Sequence, residues 1–265
     1  MFEGQTIWIT GASSGIGEAL AHQFAKEGAK LILSARRAEE LGRVREACIA
    51  EGAQGGDMLV LPLDVTDEAS LPSKVAEAKA FTGRIDMLIN NAGISQRSLC
   101  VDTEMATYRR LFEVDVFGQI ALTKLVLPVM LEQKSGHLAV TASVAGKIGV
   151  SQRTGYCAAK HAMMGFFDAL RAEVAKDGIS VTTITPGFIR TNIAKHALKG
   201  DGSEFAKVDQ NIAGGMDVDA CARVIMKGFK KGQKEIPVGE GSEMKALWVK
   251  RFFPNLLFKM VQKMG

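Results

Sequence analysis

Seven short apolar runs, each followed by a longer stretch of helical periodicity, constrain this chain more than any other feature. The runs fall at residues 6–10, 30–35, 58–64, 86–90, 137–143, 179–185 and 235–238. Most are continuously apolar rather than alternating, as expected of parallel strands covered on both faces. Helical periodicity fills 16–28, 38–51, 67–82, 104–133, 154–176 and 217–230. The alternation predicts an α/β fold: one doubly wound, mostly parallel seven-stranded sheet with helices on both faces, Rossmann-like. A length of 265 residues with 47% hydrophobic side chains is enough for one such domain with a full core. Residues 186–216 break the pattern with weak periodicity and several glycines. A loop of that length after a strand's carboxyl end predicts a lid over a ligand crevice.

The first strand runs into Thr10-Gly11-Ala12-Ser13-Ser14-Gly15-Ile16-Gly17, and a helix follows. Glycines here permit a tight turn and bring a pyrophosphate against the backbone and the helix N-terminus. The spacing is Gly-x-x-x-Gly-x-Gly, which differs from the Gly-x-Gly-x-x-Gly of longer dinucleotide-binding domains. The second strand ends in Ala35, followed by Arg36 and Arg37. An acidic residue at that strand end would accept hydrogen bonds from an adenosine ribose and select NAD. Two guanidinium groups suit a 2′-phosphate instead, by charge and by fork geometry. NADP(H) is therefore the expected cofactor, with Ser13 and Ser14 able to add hydroxyl contacts. The alternative for the arginines is a solvated pair at a helix start.

Tyr156 and Lys160 lie four residues apart, so on a helix they are separated by roughly 40° and share a face. A tyrosine hydroxyl is a poor acid–base catalyst at neutral pH until a neighbouring ammonium favours its phenolate. Ser143, thirteen residues upstream, adds a hydroxyl to hold a substrate oxygen. By itself the Tyr-x-x-x-Lys spacing is common on ordinary helix surfaces.

Charge is unevenly placed. Residues 230–265 hold eight Lys/Arg against three Asp/Glu, whereas the remainder holds 25 against 26, within a total of +4. Met244, Leu247, Trp248 and Phe252 recur at helical spacing, Pro254 interrupts, and Leu256, Leu257, Met260, Val261 and Met264 resume. Lys245, Lys250, Arg251, Lys259 and Lys263 flank them. The chain therefore divides into a catalytic domain, 1–241, and a basic amphipathic helical extension, 242–265. That extension could contact a membrane peripherally, meet another protomer or pack near the substrate entrance. Cys48, Cys100, Cys157 and Cys221 are scattered, which reads as reduced thiols in a cytoplasmic setting. The four histidines lack metal-ligand spacing, and no metal is expected. Basic and aromatic residues are not grouped as on a nucleic-acid surface, so no nucleic acid is expected. Residues 1–5 are too short and polar for a signal peptide, and no run of about 18 uninterrupted apolar residues occurs.

In this order, the motifs resemble those of the short-chain dehydrogenase/reductase family over about residues 5–240. Within it, Tyr156-Cys157-Ala158-Ala159-Lys160-His161-Ala162, Arg36-Arg37 and the basic C-terminus look most like the branch of hydroxysteroid dehydrogenases and "dehydrogenase/reductase member seven" proteins. The resemblance implies that Thr10–Gly17, Asp64 and Val65 bind the cofactor. It implies that Asn90-Asn91-Ala92-Gly93 steadies the sheet and lines the cofactor site, and that Pro186, Gly187, Ile189 and Thr191 border the nicotinamide. It further implies that Ser143, Tyr156 and Lys160 are catalytic, with the last two also touching the cofactor. One position departs: Asp115 stands where the family usually has an asparagine whose carbonyl holds a water linked to the lysine. Asp115 is thus a candidate catalytic residue, either assisting proton relay or weakening Lys160. Many members of that branch carry an N-terminal anchor, which is not expected here.

The expected activity is hydride transfer between NADP(H) and a carbonyl or secondary alcohol of an apolar small molecule, with Tyr156 as general acid/base. Alternatives are an NAD-dependent alcohol dehydrogenase and a catalytically impaired dinucleotide-binding sensor or scaffold. Phe112, Val116 and Ile120 in one long helix and Met163, Phe166 and Leu170 in another read as mostly core, and the resemblance implies a homodimer or homotetramer formed through those two helices.

Overall fold

The computed structural model describes residues 1–207 and 209–262. Its elements are β1 (Thr6–Thr10), α1 (Gly15–Lys26), β2 (Lys30–Ser34), α2 (Ala38–Ala50), β3 (Met58–Val60), α3 (Leu71–Thr82) and β4 (Met87–Asn90). There follow α4 (Met105–Phe112), α5 (Gly118–Gln133), β5 (Gly136–Thr141), α6 (Thr154–Glu173) and β6 (Ile179–Pro186). The chain continues with α7 (Gln210–Ala213), α8 (Val218–Lys230), β7 (Glu235–Val238), α9 (Ser242–Phe252) and α10 (Pro254–Gln262). Lys263 and Met264, part of the C-terminal periodic pattern, lie outside the described residues.

The strands form one sheet in the order β3-β2-β1-β4-β5-β6-β7, and every pairing is parallel rather than mostly so. The order reverses between β1 and β4, which opens a crevice at the strands' carboxyl ends. Alternation of side chains sorts the core into two layers. Ile7, Ile9, Leu31, Leu33 and Ile89 pack with Phe24 of α1 and Phe229 of α8. Trp8, Ile32 and Leu88 point the other way, to Val126 of α5 and Phe167 of α6. Each such side chain stabilises the fold by about 1.5–3 kcal/mol. Trp8 keeps its indole satisfied inside: Nε1 donates to Ser34 Oγ at 2.8 Å, which donates to Leu61 O at 2.7 Å.

Many element ends differ from the sequence reading by one to four residues. The third strand stops at Val60 rather than 64, although Leu61 N and Leu63 N still donate to Leu33 O and Ala35 O, and Pro62 between them faces the open edge of the sheet, where no N–H is needed. The helix expected over 104–133 contains a π turn, Glu113–Phe117, between α4 and α5. At the end of that turn a Cβ on Gly118 would lie 2.4 Å from Val65 O, so the helix touches the loop after β3 backbone to backbone. By length and composition, 105–133 is apolar enough to cross a membrane, although polar and charged residues interrupt it. Half of its most apolar stretch is buried, with Leu122, Val126 and Met130 in the core.

Candidate active site

The carboxyl ends of β1, β4 and β5 are stitched together by short polar side chains. Thr10 Oγ1 donates to Ile89 O and accepts from Asn91 N at 3.0 Å and Ala92 N at 3.1 Å. Asn91 Nδ2 donates to Thr10 O at 3.1 Å, and Thr141 Oγ1 donates to Asn91 Oδ1 at 3.1 Å. Asn90 is fully buried and donates to Thr123 Oγ1 on α5. Above these strand ends lies a cavity of about 1220 Å³.

The wall of this cavity gathers residues from widely separated parts of the chain. Gly11, Ser13, Ser14, Gly15 and Ile16 line it beside Arg36, Arg37, Asp64 and Val65. Asn91, Ala92, Gly93, Ser143, Tyr156, Lys160, Pro186, Gly187, Ile189 and Thr191 line it as well. Gly17 does not: it is buried, and a Cβ there would stand 2.3 Å from Gly11 O, so this glycine serves close packing of the turn. Gly11 and Gly15 have φ of 65° and 58°, the left-handed region that favours glycine. A Cβ on Gly11 would reach 2.9 Å from the Ala92 backbone.

Tyr156 occupies the first turn of α6 and Lys160 the next, both buried. Gln96 sets the start of that helix, because its Oε1 accepts from Gly155 N at 2.7 Å and Tyr156 N at 3.4 Å. A side chain on Gly155 would meet Tyr108 at 2.7 Å, so the helix starts in a tight slot. Lys160 Nζ donates to Thr141 O at 3.2 Å and lies 5.7 Å from the Tyr156 ring centroid. Ser143 Oγ accepts from Ala145 N at 3.0 Å and lies 3.4 Å from Pro186 O, which fixes it at the end of β5.

Asp115 does not reach the cavity wall. It sits fully buried in the π turn behind Lys160, with Oδ2 3.2 Å from Nζ and Oδ1 accepting from Ile94 N at 2.8 Å. Burial raises this carboxyl above its ordinary range, against the pull of Lys160 and the Ile94 amide. Burial alone would lower Lys160, but the Asp115 charge and Tyr156 carry it above the ordinary lysine range. The ammonium is therefore held charged, and its nearest counter-charge is inside the protein. Asp115 acts on Lys160 and not on a bound molecule.

With this geometry in place, comparison with known proteins settles the family. The short chain dehydrogenase family profile matches residues 5–202. The chain belongs to the short-chain dehydrogenase/reductase family. Among the relatives of this short-chain dehydrogenase is dehydrogenase/reductase SDR family member 7 of Homo sapiens. It is 41% identical over 98% of this chain and 77% of its own. A short-chain dehydrogenase/reductase from Burkholderia phymatum, solved with NAD, shares the fold: TM-score 0.85, 23% identity, 96% and 95% of the two chains covered. A metagenomic short-chain oxidoreductase solved with NADP gives a TM-score of 0.66 at 28% identity, over 70% of this chain and 83% of its own.

The residues present fit a nicotinamide dinucleotide. The glycine turn leaves the α1 N-terminus accessible, and Ser14 at its cap makes no side-chain bond to it. Arg36 and Arg37 are exposed at the rim with no ion-pair partner among the described residues. Arg37 also stands at the start of α2. Between this end and the wall around Tyr156, the short-chain dehydrogenase offers one continuous space.

Further residues brace or line the cavity, and of these Arg43 and Glu243 carry no signal in the sequence. Arg43 bonds Glu18, Glu40 and Ser13 O, bracing the glycine turn. Glu243 of α9 accepts from Phe188 N at 3.3 Å, and Ala246, Leu257, Met260 and Val261 of α9 and α10 close one side. From the segment after β6, Phe188, Ile189, Ile193 and Leu198 line the cavity, whereas Ala194 and Ala197 pack away from it.

Proposed function

We propose that this short-chain dehydrogenase is an NADP(H)-dependent oxidoreductase acting on a carbonyl or secondary alcohol of a largely apolar small molecule. The observation that carries this reading is the convergence of Tyr156, Lys160 and Ser143 on the same cavity as the glycine turn and the Arg36–Arg37 pair. Bound nicotinamide supplies or accepts hydride. Ser143 donates a hydrogen bond to the substrate oxygen, where negative charge develops during reduction. Tyr156 gives the proton in reduction and takes it in oxidation. Lys160, kept charged by Asp115, stabilises the phenolate form. The apolar wall of Phe188, Ile189, Ile193 and Leu257 supports an apolar substrate body. The exposed guanidinium groups of Arg36 and Arg37, without an ion-pair partner among the described residues, support NADP(H) over NAD(H).

A panel of ketones, aldehydes and steroids with NADPH and with NADH tests the reading. Turnover faster with NADPH is expected, and turnover confined to NADH overturns the cofactor assignment. The 3.2 Å Lys160–Asp115 pair favours one second reading, a dinucleotide-binding sensor whose lysine charge is neutralised. NADPH binding without turnover of any panel member would support that instead.

The C-terminal helices support peripheral contact with an anionic membrane. Trp248, Phe252, Phe253, Leu256 and Phe258 are at least half exposed, and Lys245, Lys250, Arg251 and Lys259 are interspersed. Phe117, half exposed where α5 begins, supports self-association along that helix.

A further inference from the structure

We propose that Arg97 and Arg153 form a carboxylate-binding subsite in the cavity, so that the substrate is an apolar carbonyl or alcohol bearing a carboxylate. This deepens the oxidoreductase reading and rests on it for the substrate's reacting group.

The subsite is built from three segments. Arg97 follows β4, Arg153 precedes α6 and lies three residues before Tyr156, and Asp209 begins α7. Both arginines line the cavity. Their side chains are 18% and 10% exposed, and that of Asp209 is 3%. Arg153 Nη2 lies 2.9 Å from Asp209 Oδ2, and the Arg97 guanidinium pairs with the same oxygen. The other oxygen, Oδ1, accepts from Asn211 N at 2.9 Å and Ile212 N at 3.4 Å, capping α7. One carboxylate therefore serves two guanidinium groups and a helix end. Among the described residues, no second carboxylate lies within ion-pair distance of either arginine. Glu204, on the same wall, pairs with His196 at 3.3 Å.

Two cations against one anion leave a buried positive charge, an arrangement that is costly unless a further anion joins it. Arg153 Nε is buried and has no hydrogen-bond partner among the described residues. Burial, with Arg153 as a neighbour, pushes Arg97 down to about 10. A carboxylate matches guanidinium forks in shape and charge. A ligand so held would lie in the cavity that Tyr156 also lines.

The test uses ω-benzoylalkanoates of increasing chain length, each compared with its primary amide, with NADPH and the full chain. At one chain length or more, kcat/KM for the acid should exceed that for the amide by tenfold or more. The acid-to-amide ratio should fall at least tenfold in Arg153→Gln and in Arg97→Gln. The ratio is internal to each variant, so a general loss of activity does not mimic the result. No acid preference at any length, or a preference that survives both substitutions, overturns the subsite. The second outcome would leave the trio as a structural latch. Isothermal titration of ω-phenylalkanoates, which have no ketone, reads the subsite without turnover. Binding that both substitutions weaken tenfold, with no turnover of acids or amides, would keep the subsite and remove the oxidoreductase reading. Amide turnover with no such binding would do the reverse.

Discussion

Replacing Lys160 with methionine strands a carboxylate inside the protein, and the cost follows from the geometry. At 3.2 Å and an effective dielectric of about 20, the pair attracts by about 5 kcal/mol. Breaking a buried pair by removing one partner costs about 3–5 kcal/mol, while methionine keeps most of the lysine stem's packing. Asp115 can escape part of that cost by taking a proton. Burial already raises it, and the lysine charge that opposes the rise is gone in the variant. A raised carboxyl binds its proton more tightly folded than unfolded. Its contribution to stability is full below the ordinary carboxylate range, near 4, and is lost as pH rises through the folded value. Lys160→Met should therefore be destabilised most at about pH 8 and recover towards about pH 5. Adding Asp115→Asn removes the stranded charge and should restore about 2 kcal/mol or more at the higher pH. Urea unfolding followed by circular dichroism at both pH values measures this. A loss under about 1 kcal/mol, an equal loss at both pH values, or a double variant no more stable than the single one refutes the reasoning.

Three further outcomes are expected. Arg36→Ala with Arg37→Ala should weaken NADPH binding by roughly 10²–10⁴-fold, from two charge-assisted hydrogen bonds of about 1.5–3 kcal/mol each, and leave NADH nearly unchanged; equal weakening of both contradicts a 2′-phosphate contact. Gly118→Ala, whose Cβ would meet Val65 O at 2.4 Å, should lower stability by about 1–3 kcal/mol in urea, whereas Gly42→Ala, with nothing within 4 Å, should be neutral or stabilising. The full chain should float with phosphatidylserine vesicles, and Trp248→Ser with Phe252→Ser and Phe253→Ser should not; equal flotation rules out membrane contact through these side chains.

The strand–helix alternation was legible because burial on both faces forces continuous apolar runs, and Ile7, Trp8 and Ile9 are all fully buried in β1. The glycine turn was legible because left-handed φ at Gly11 and Gly15 and close packing at Gly17 demand that residue type. Asp115 could be noticed as a departure from a family pattern, but its burial depends on a π turn that leaves no periodic signature. Gln96, Arg97, Arg153 and Asp209 were silent for a related reason. Their partners lie up to 112 residues away, as for Arg97 with Asp209, and scattered polar residues in loops look like solvated ones. Glu243 gave no sign of reaching back to Phe188, so the sequence left packing near the substrate entrance as one of three placements for the C-terminal helices, which line part of the cavity.

The most direct measurement of the central claim is turnover and cofactor binding by Tyr156→Phe. A positioned general acid contributes about 10²–10⁴-fold, so ketone reduction with NADPH should fall at least a hundredfold, with the NADPH dissociation constant nearly unchanged. Retention of more than a few per cent of wild-type turnover would contradict Tyr156 as the proton donor.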